Sequence, residues 1–122
     1  MNVHDLKEVM AGAPEFTSDD REASFWMPER FNEGMVWVGR FTGQSPWERH
    51  PDSDELLSVR AGEMEVTILR DEGEETRVIP AGSFAVVPRG VWHRVRSREE
   101  VSTWGVTVGT TEHSEAEDPR AG

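Results

Sequence analysis

From Met35 onward apolar and polar residues alternate with a period of two, the mark of strands buried on one face. Over 35–42, Met35, Trp37 and Phe41 fall on one face and Val36 and Val38 on the other. Further strands are expected over 56–59, 64–69, 76–79, 83–87, 91–95 and 102–108. Met64, Val66 and Ile68 share a face, and so do Glu55, Leu57 and Val59. Turn signals separate these runs at Gly62, Gly73, Pro80-Ala81-Gly82 and Pro88-Arg89-Gly90. Arg70-Asp71-Glu72-Gly73-Glu74 reads as a charged hairpin loop in which Gly73 supplies a positive φ. Pro88 and Gly90 suit the second and fourth positions of a type I turn. Short alternating strands joined by such turns imply an all-β sandwich or barrel.

The ends read differently. Asp5 with Glu8 can cap a short helical turn, which Gly12 and Pro14 then stop. Residues 11–24 are small, acidic and aperiodic, so loop or partial disorder is expected there. Phe25-Trp26-Met27 forms an apolar knot suited to anchoring the N-terminal segment on the barrel or on a second subunit. The expected organisation is therefore an irregular N-terminal arm over 1–34, a barrel over 35–109 and a flexible acidic tail over 110–122.

The formal net charge of −11 divides as −5, −3 and −3 over those three segments. An excess of negative charge repels phosphate, which argues against nucleic acid and against anionic membrane surfaces. With no cysteine there is no disulfide, no thiolate metal site and no catalytic thiol. No apolar run approaches membrane-spanning length and no signal-peptide core is evident, so the expectation is a cytoplasmic, soluble protein of one domain.

Two stretches carry candidate chemistry. Glu48 and His50 are two residues apart and project from one face of an extended segment, and Pro51 biases His50 towards that extended backbone. After the polar bend Asp52-Ser53-Asp54, Glu55 heads a row that is otherwise apolar. A carboxylate so placed needs a partner, and a cation is one solution. Downstream, Val91, His93 and Val95 share a face, so His93 again sits among apolar neighbours. Taken singly, His50 and His93 also fit hydrogen-bonded core or turn histidines. Trp47 and Trp92 are read as packing residues, and His4 and His113, in the polar ends, as bystanders. Thr110-Thr111-Glu112-His113-Ser114 has the length to fold back over the barrel mouth, but nothing local demands it.

His50, Glu55 and Gly62, at spacings of four and six intervening residues, match the second half of the first cupin motif. Gly82, Pro88, Gly90 and His93 match the second motif, so the chain resembles a small single-domain cupin over roughly residues 35–109. It departs from the pattern in three places. Glu48 takes the place of the first motif histidine, Gly43 lies one residue closer than the motif glycine, and Ser97 stands where the second motif ends in asparagine. The resemblance implies a jelly-roll β-barrel with a divalent-metal site at His50, Glu55 and His93. A set of two histidines and one carboxylate is associated with non-haem Fe(II), so iron ranks first, with Mn, Ni and Zn as alternatives. Glu48 is a candidate fourth ligand, a general base, an acceptor orienting a ligand histidine, or a solvated edge residue. The expected function is a metal-dependent enzyme on a small organic ligand, with an Fe(II)-type dioxygenase (an oxidoreductase) first. A metal-dependent isomerase or lyase, or a non-catalytic sensor barrel, stands as the alternative. A homodimer is expected through sheet edges and the N-terminal arm, although Ser58 and Arg60 on the outer face beside Glu55 disfavour a greasy interface.

Overall fold

Strands expected from alternation form, but most pair with partners distant in sequence, and a single long strand joins them. The computed structural model describes residues 1–13, 15–17 and 26–121. In chain order the elements are α1 (Leu6–Gly12), β1 (Glu15–Thr17), β2 (Trp26–Phe31), β3 (Gly34–Gln44), β4 (Trp47–Arg49) and β5 (Glu55–Ala61). They continue as β6 (Glu63–Arg70), β7 (Gly73–Pro80), β8 (Phe84–Val87), β9 (His93–Val108), β10 (Glu112–Ser114) and a 3₁₀ turn over Pro119–Ala121.

The ten strands form one sheet, curled on itself, and β9 is its spine. The first part of β9 pairs with β6 on one side and β4 on the other, and its second part pairs with β3 and β5. One wall is thus β7-β6-β9-β4-β10 and the other β2-β3-β9-β5-β8, the two-walled jelly roll that the resemblance implied. Between them lies a core of Trp37, Phe41, Leu57, Val59, Met64, Val66, Ile68, Ile79, Val87 and Val101. Gly105 faces Trp37 across β3 and β9, and a Cβ there would stand 2.0 Å from the Leu56 carbonyl oxygen, so the close approach of three strands requires glycine.

The structure departs from the sequence reading in several places. β9 runs unbroken through Arg96–Glu100, which the charge run made look like a connection between two strands. The strand passes this stretch with a register shift against β3, Phe41 pairing with Val101 but Gly43 with Ser97, and buried Ser97 donates to the Glu63 carbonyl. Residues 1–34 are less irregular than expected. β2 pairs antiparallel and β1 parallel with β3, and α1 covers the outer face of the sheet with Met10 and Ala13 against Val38. Of the expected apolar knot, Phe25 lies outside the described residues, and the side chain of Met27 is exposed. The tail is likewise structured: β10 pairs with β4, and Trp47 donates to the Glu117 carbonyl at 3.2 Å. At the second turn, Val91 N–H reaches the Pro88 carbonyl (3.3 Å) and Gly90 has φ 74°. Pro88 therefore opens this turn and Gly90 is its third residue, where a type II turn needs positive φ. Gly73 has the positive φ expected of it.

Asp5 accepts from Glu8 N–H (3.1 Å) and caps α1 as read from the sequence. Asp5→Ala is expected to cost about 1 kcal/mol, read as a lower denaturation midpoint by circular dichroism, because α1 is packed on Val38 rather than free. No helix among the described residues is long and apolar enough to cross a membrane.

Candidate metal centre

Glu48, His50, Glu55 and His93 each offer a ligand atom, and these atoms all lie within 4.8 Å of one another inside the barrel. Each arrives by a local rule. Glu48 on β4 is the cross-strand partner of His93 on β9, so both side chains leave on the inner face. Trp47 and Arg49 therefore point outwards, where Arg94 lies over the Trp47 ring (4.3 Å) and Arg49 over the Trp92 ring (4.5 Å). Both tryptophans are thus packing residues, as expected. His50 follows in the same alternation, and its carbonyl accepts from Gly90 N–H at 2.9 Å, stitching the two motif segments together. Asp54 accepts from Arg89 N–H (2.8 Å), tightening the same junction. Glu55 opens β5 opposite Val87, at the head of the apolar row continued by Leu57 and Val59.

Inside, His93 Nε2 is 3.1 Å from Glu55 Oε1 and 3.6 Å from Glu48 Oε1. His50 Nε2 is 3.0 Å from Glu55 Oε2, and the two imidazole centroids are 5.1 Å apart. His50, Glu55 and His93 are buried, whereas a quarter of the Glu48 side chain reaches solvent. Although so near a carboxylate, His50 Nε2 is a buried nitrogen without a hydrogen bond. It lies within 4.8 Å of ligand atoms of Glu48, Glu55 and His93. This is the arrangement that a cation satisfies, and the donor set of two imidazoles and two carboxylates suits a divalent transition ion.

A second layer of contacts holds those four groups. His93 Nδ1 lies 3.0 Å from the Val91 carbonyl, which can only accept, so Nδ1 carries the proton and Nε2 faces the cluster. His50 Nδ1 lies 3.0 Å from Thr111 Oγ1, again leaving Nε2 inward. Thr107 donates to Glu55 Oε2 and itself accepts from Trp37 Nε1 (2.9 Å). His113 Nε2 is 3.4 Å from Glu48 Oε2, so Glu48 bridges the surface and the centre. These contacts are of the kind that orient metal ligands.

The charges follow from the packing. Burial disfavours the His93 cation, but Glu48 and Glu55 outweigh it and raise its pKa to about 10. Burial pushes the Glu48 carboxyl up, but His113 and His93 hold it down at about 2. For Glu55, burial raises and the two imidazoles lower, with a net depression. Contact with Glu48 raises His113, against partial burial.

All four residues singled out from the sequence thus meet in one cluster. Three of their supports did not stand out. Thr107 lies two residues beyond Gly105 on β9, in a row that also carries Thr103, so its hydroxyl was not distinguished by its neighbours. Thr111 and His113 had no local signal, because only the pairing of β10 with β4 brings them to the site. His113, read as a bystander, contacts Glu48 directly.

Comparison with known proteins places this geometry. Residues 40–108 match the Cupin domain family. Protein YdbB of Bacillus subtilis (strain 168), described as uncharacterized, is 37% identical over 98 residues, covering 80% of this chain and 79% of its own. Protein NMB1881 from Neisseria meningitidis superposes with a TM-score of 0.67 at 25% identity, covering 88% of this chain and 100% of that one. Hydroquinone 1,2-dioxygenase PnpCD, solved with Cd2+ and 4-hydroxybenzonitrile, superposes with a TM-score of 0.66 over 87% of this chain and 72% of that one. At 18% identity the latter shows a shared fold. With a family match across more than half of its length and a relative 37% identical over four-fifths of it, this chain belongs to the cupin family.

Proposed function

We propose that this protein is a metal-dependent enzyme acting on a small organic molecule, with an Fe(II)-type dioxygenase as the leading reaction class. The observation that carries the reading is the unsatisfied, buried His50 Nε2 beside Glu55, in a cluster that also contains His93. His50, Glu55 and His93 would hold the ion, leaving positions for substrate, with Glu48 as fourth ligand or base. When bound, the ion would polarise a substrate oxygen and, as iron, supply redox chemistry with dioxygen. The protein's own part is distinct. Glu48, held ionised by His113 and His93, is placed to take a proton from a substrate hydroxyl at the edge of the cluster. Thr107 and Thr111 keep Glu55 and His50 from turning away. The buried walls exclude bulk water from three of the four groups.

Anaerobic reconstitution with Fe(II), Mn(II), Ni(II) or Zn(II), followed by an oxygen-electrode screen of catechols, enediols and α-hydroxy and α-keto acids, tests the reaction class. Oxygen uptake confined to the iron form is the expected result. Turnover with Zn or Mn under strict anaerobiosis would instead support an isomerase or lyase, a reading favoured by the second carboxylate, since Glu48 can act as a base without dioxygen. Metal binding with no turnover across the panel would leave a sensor barrel. Thr111→Val removes the hydroxyl on His50 Nδ1 while keeping the side-chain shape. It is expected to weaken metal binding about tenfold in chelator competition, with little change in the thermal midpoint.

A further inference from the structure

Among the described residues the curled sheet does not close. There β7 pairs with β6 alone and β8 with β5 alone, and a cleft lies between these two edges. It has a volume of about 430 Å³, and its apolar surface comes from Val66, Ile68, Ile79, Ala85 and Val87. The volume is that of a small-molecule pocket.

Strand register ties this cleft to the metal centre. Ile68 is the cross-strand partner of His93, and Val87 is the partner of Glu55. Partners share a face and stand about 5 Å apart, so the inner end of the cleft abuts two of the candidate ligands. On β9, His93 has Glu48 on one flank and Ile68 on the other.

The rim carries one uncommitted cation. Arg70 is paired with Glu75 at 3.3 Å. Arg77 is the partner of Val66, leaves its strand on the cleft face, and makes no hydrogen bond or ion pair among the described residues. It lies two residues from the row of Ile68, about 7 Å along the strand. In a chain of net charge −11, a guanidinium unpaired among the described residues, at the lip of this half-polar cleft, is a local attraction for an anion.

We propose that the cleft between β7 and β8 is the substrate site and that it takes an organic carboxylate with an apolar body. The body, one ring or a branched chain, packs on Val66, Ile68 and Ile79. The carboxylate pairs with Arg77, and the far end carries the oxygen that meets the centre. This rests on the metal-centre reading for the fate of the far end and not for recognition at Arg77.

The test uses phenylacetate, 4-hydroxyphenylacetate and 4-methylpentanoate, each against its primary amide, titrated into metal-free protein and followed by 15N NMR. Wild type is expected to prefer acids over amides by about tenfold, with shifts centred on residues 66–68, 77–79 and 84–87. Arg77→Gln should remove that preference without changing metal content, and Arg77→Lys should restore part of it. Equal affinity for acid and amide, no binding of any acid, or an undiminished preference in Arg77→Gln overturns the proposal. Because binding is read without metal and metal content is read by elemental analysis, failure of one reading is distinguishable from failure of the other.

Discussion

His93→Ala is expected to strip the protein of its metal, lowering content from near one ion per chain to background in elemental analysis of untagged protein. His93 is the inward group in contact with both carboxylates, Glu55 Oε1 at 3.1 Å and Glu48 Oε1 at 3.6 Å, and its side chain is buried. Losing it removes an imidazole donor and leaves two carboxylates facing a void, so affinity should fall by more than about a hundredfold. The metal-free variant should also be less stable by about 3 kcal/mol, because the surviving carboxylates lose the cation that offset their burial. Wild-type and variant protein with equal metal content would remove the site reading. His50→Ala should lower metal content in the same way but disturb the carboxylates less, since the Glu55–His93 contact survives.

The second large effect is on pH. In the metal-free protein His93 Nδ1–H serves the Val91 carbonyl, so the additional proton sits on Nε2 between Glu48 and Glu55, with a pKa of about 10. Its folded value is above the ordinary histidine value of 6.5, so this stabilisation is fully present below pH 6.5 and is lost as pH rises through about 10. Glu48 behaves oppositely. Its folded value of about 2 lies below 4.5, so its contribution is present above pH 4.5 and is lost as pH falls towards 2. Metal-free protein should therefore be most stable between these windows, from pH 4.5 to 6.5. A metal ion must displace the Nε2 proton, so apparent metal affinity should rise about tenfold per pH unit between pH 6 and 9. Calorimetry in two buffers of different ionisation enthalpy should show about one proton released per ion. Affinity that does not vary with pH over this range would mean that His93 does not give up its proton to bind.

Glu55 shows how far a local pattern reaches. Its place at the head of Leu57 and Val59 was legible because strand alternation is a property of neighbouring residues, and the structure buries all three. The same holds for Met64, Val66 and Ile68. The two motif segments named His50, Glu55 and His93 before any contact was known, since spacing within a turn-and-strand unit constrains where each side chain points. Glu48 could be placed beside them, but its roles could not be separated. They depend on His93 across the strand and on His113 from the far end of the chain. The charge run Arg96–Glu100 misled because polarity marks exposure, and an exposed stretch of a bent strand looks the same as a loop.

Residue types and short spacings thus determined an all-β barrel, its inward rows and the three groups that meet at its centre. Those features follow from interactions between residues close in the chain. Tertiary structure alone decided that β10 would pair with β4 and carry Thr111 and His113 to the site, and that α1 would cover Val38. It also decided that, among the described residues, β7 and β8 would not pair and would leave a cleft beside the strand partners of His93 and Glu55. Each of these depends on which distant backbones find one another, a choice made by the closure of the whole sheet and written in no single segment.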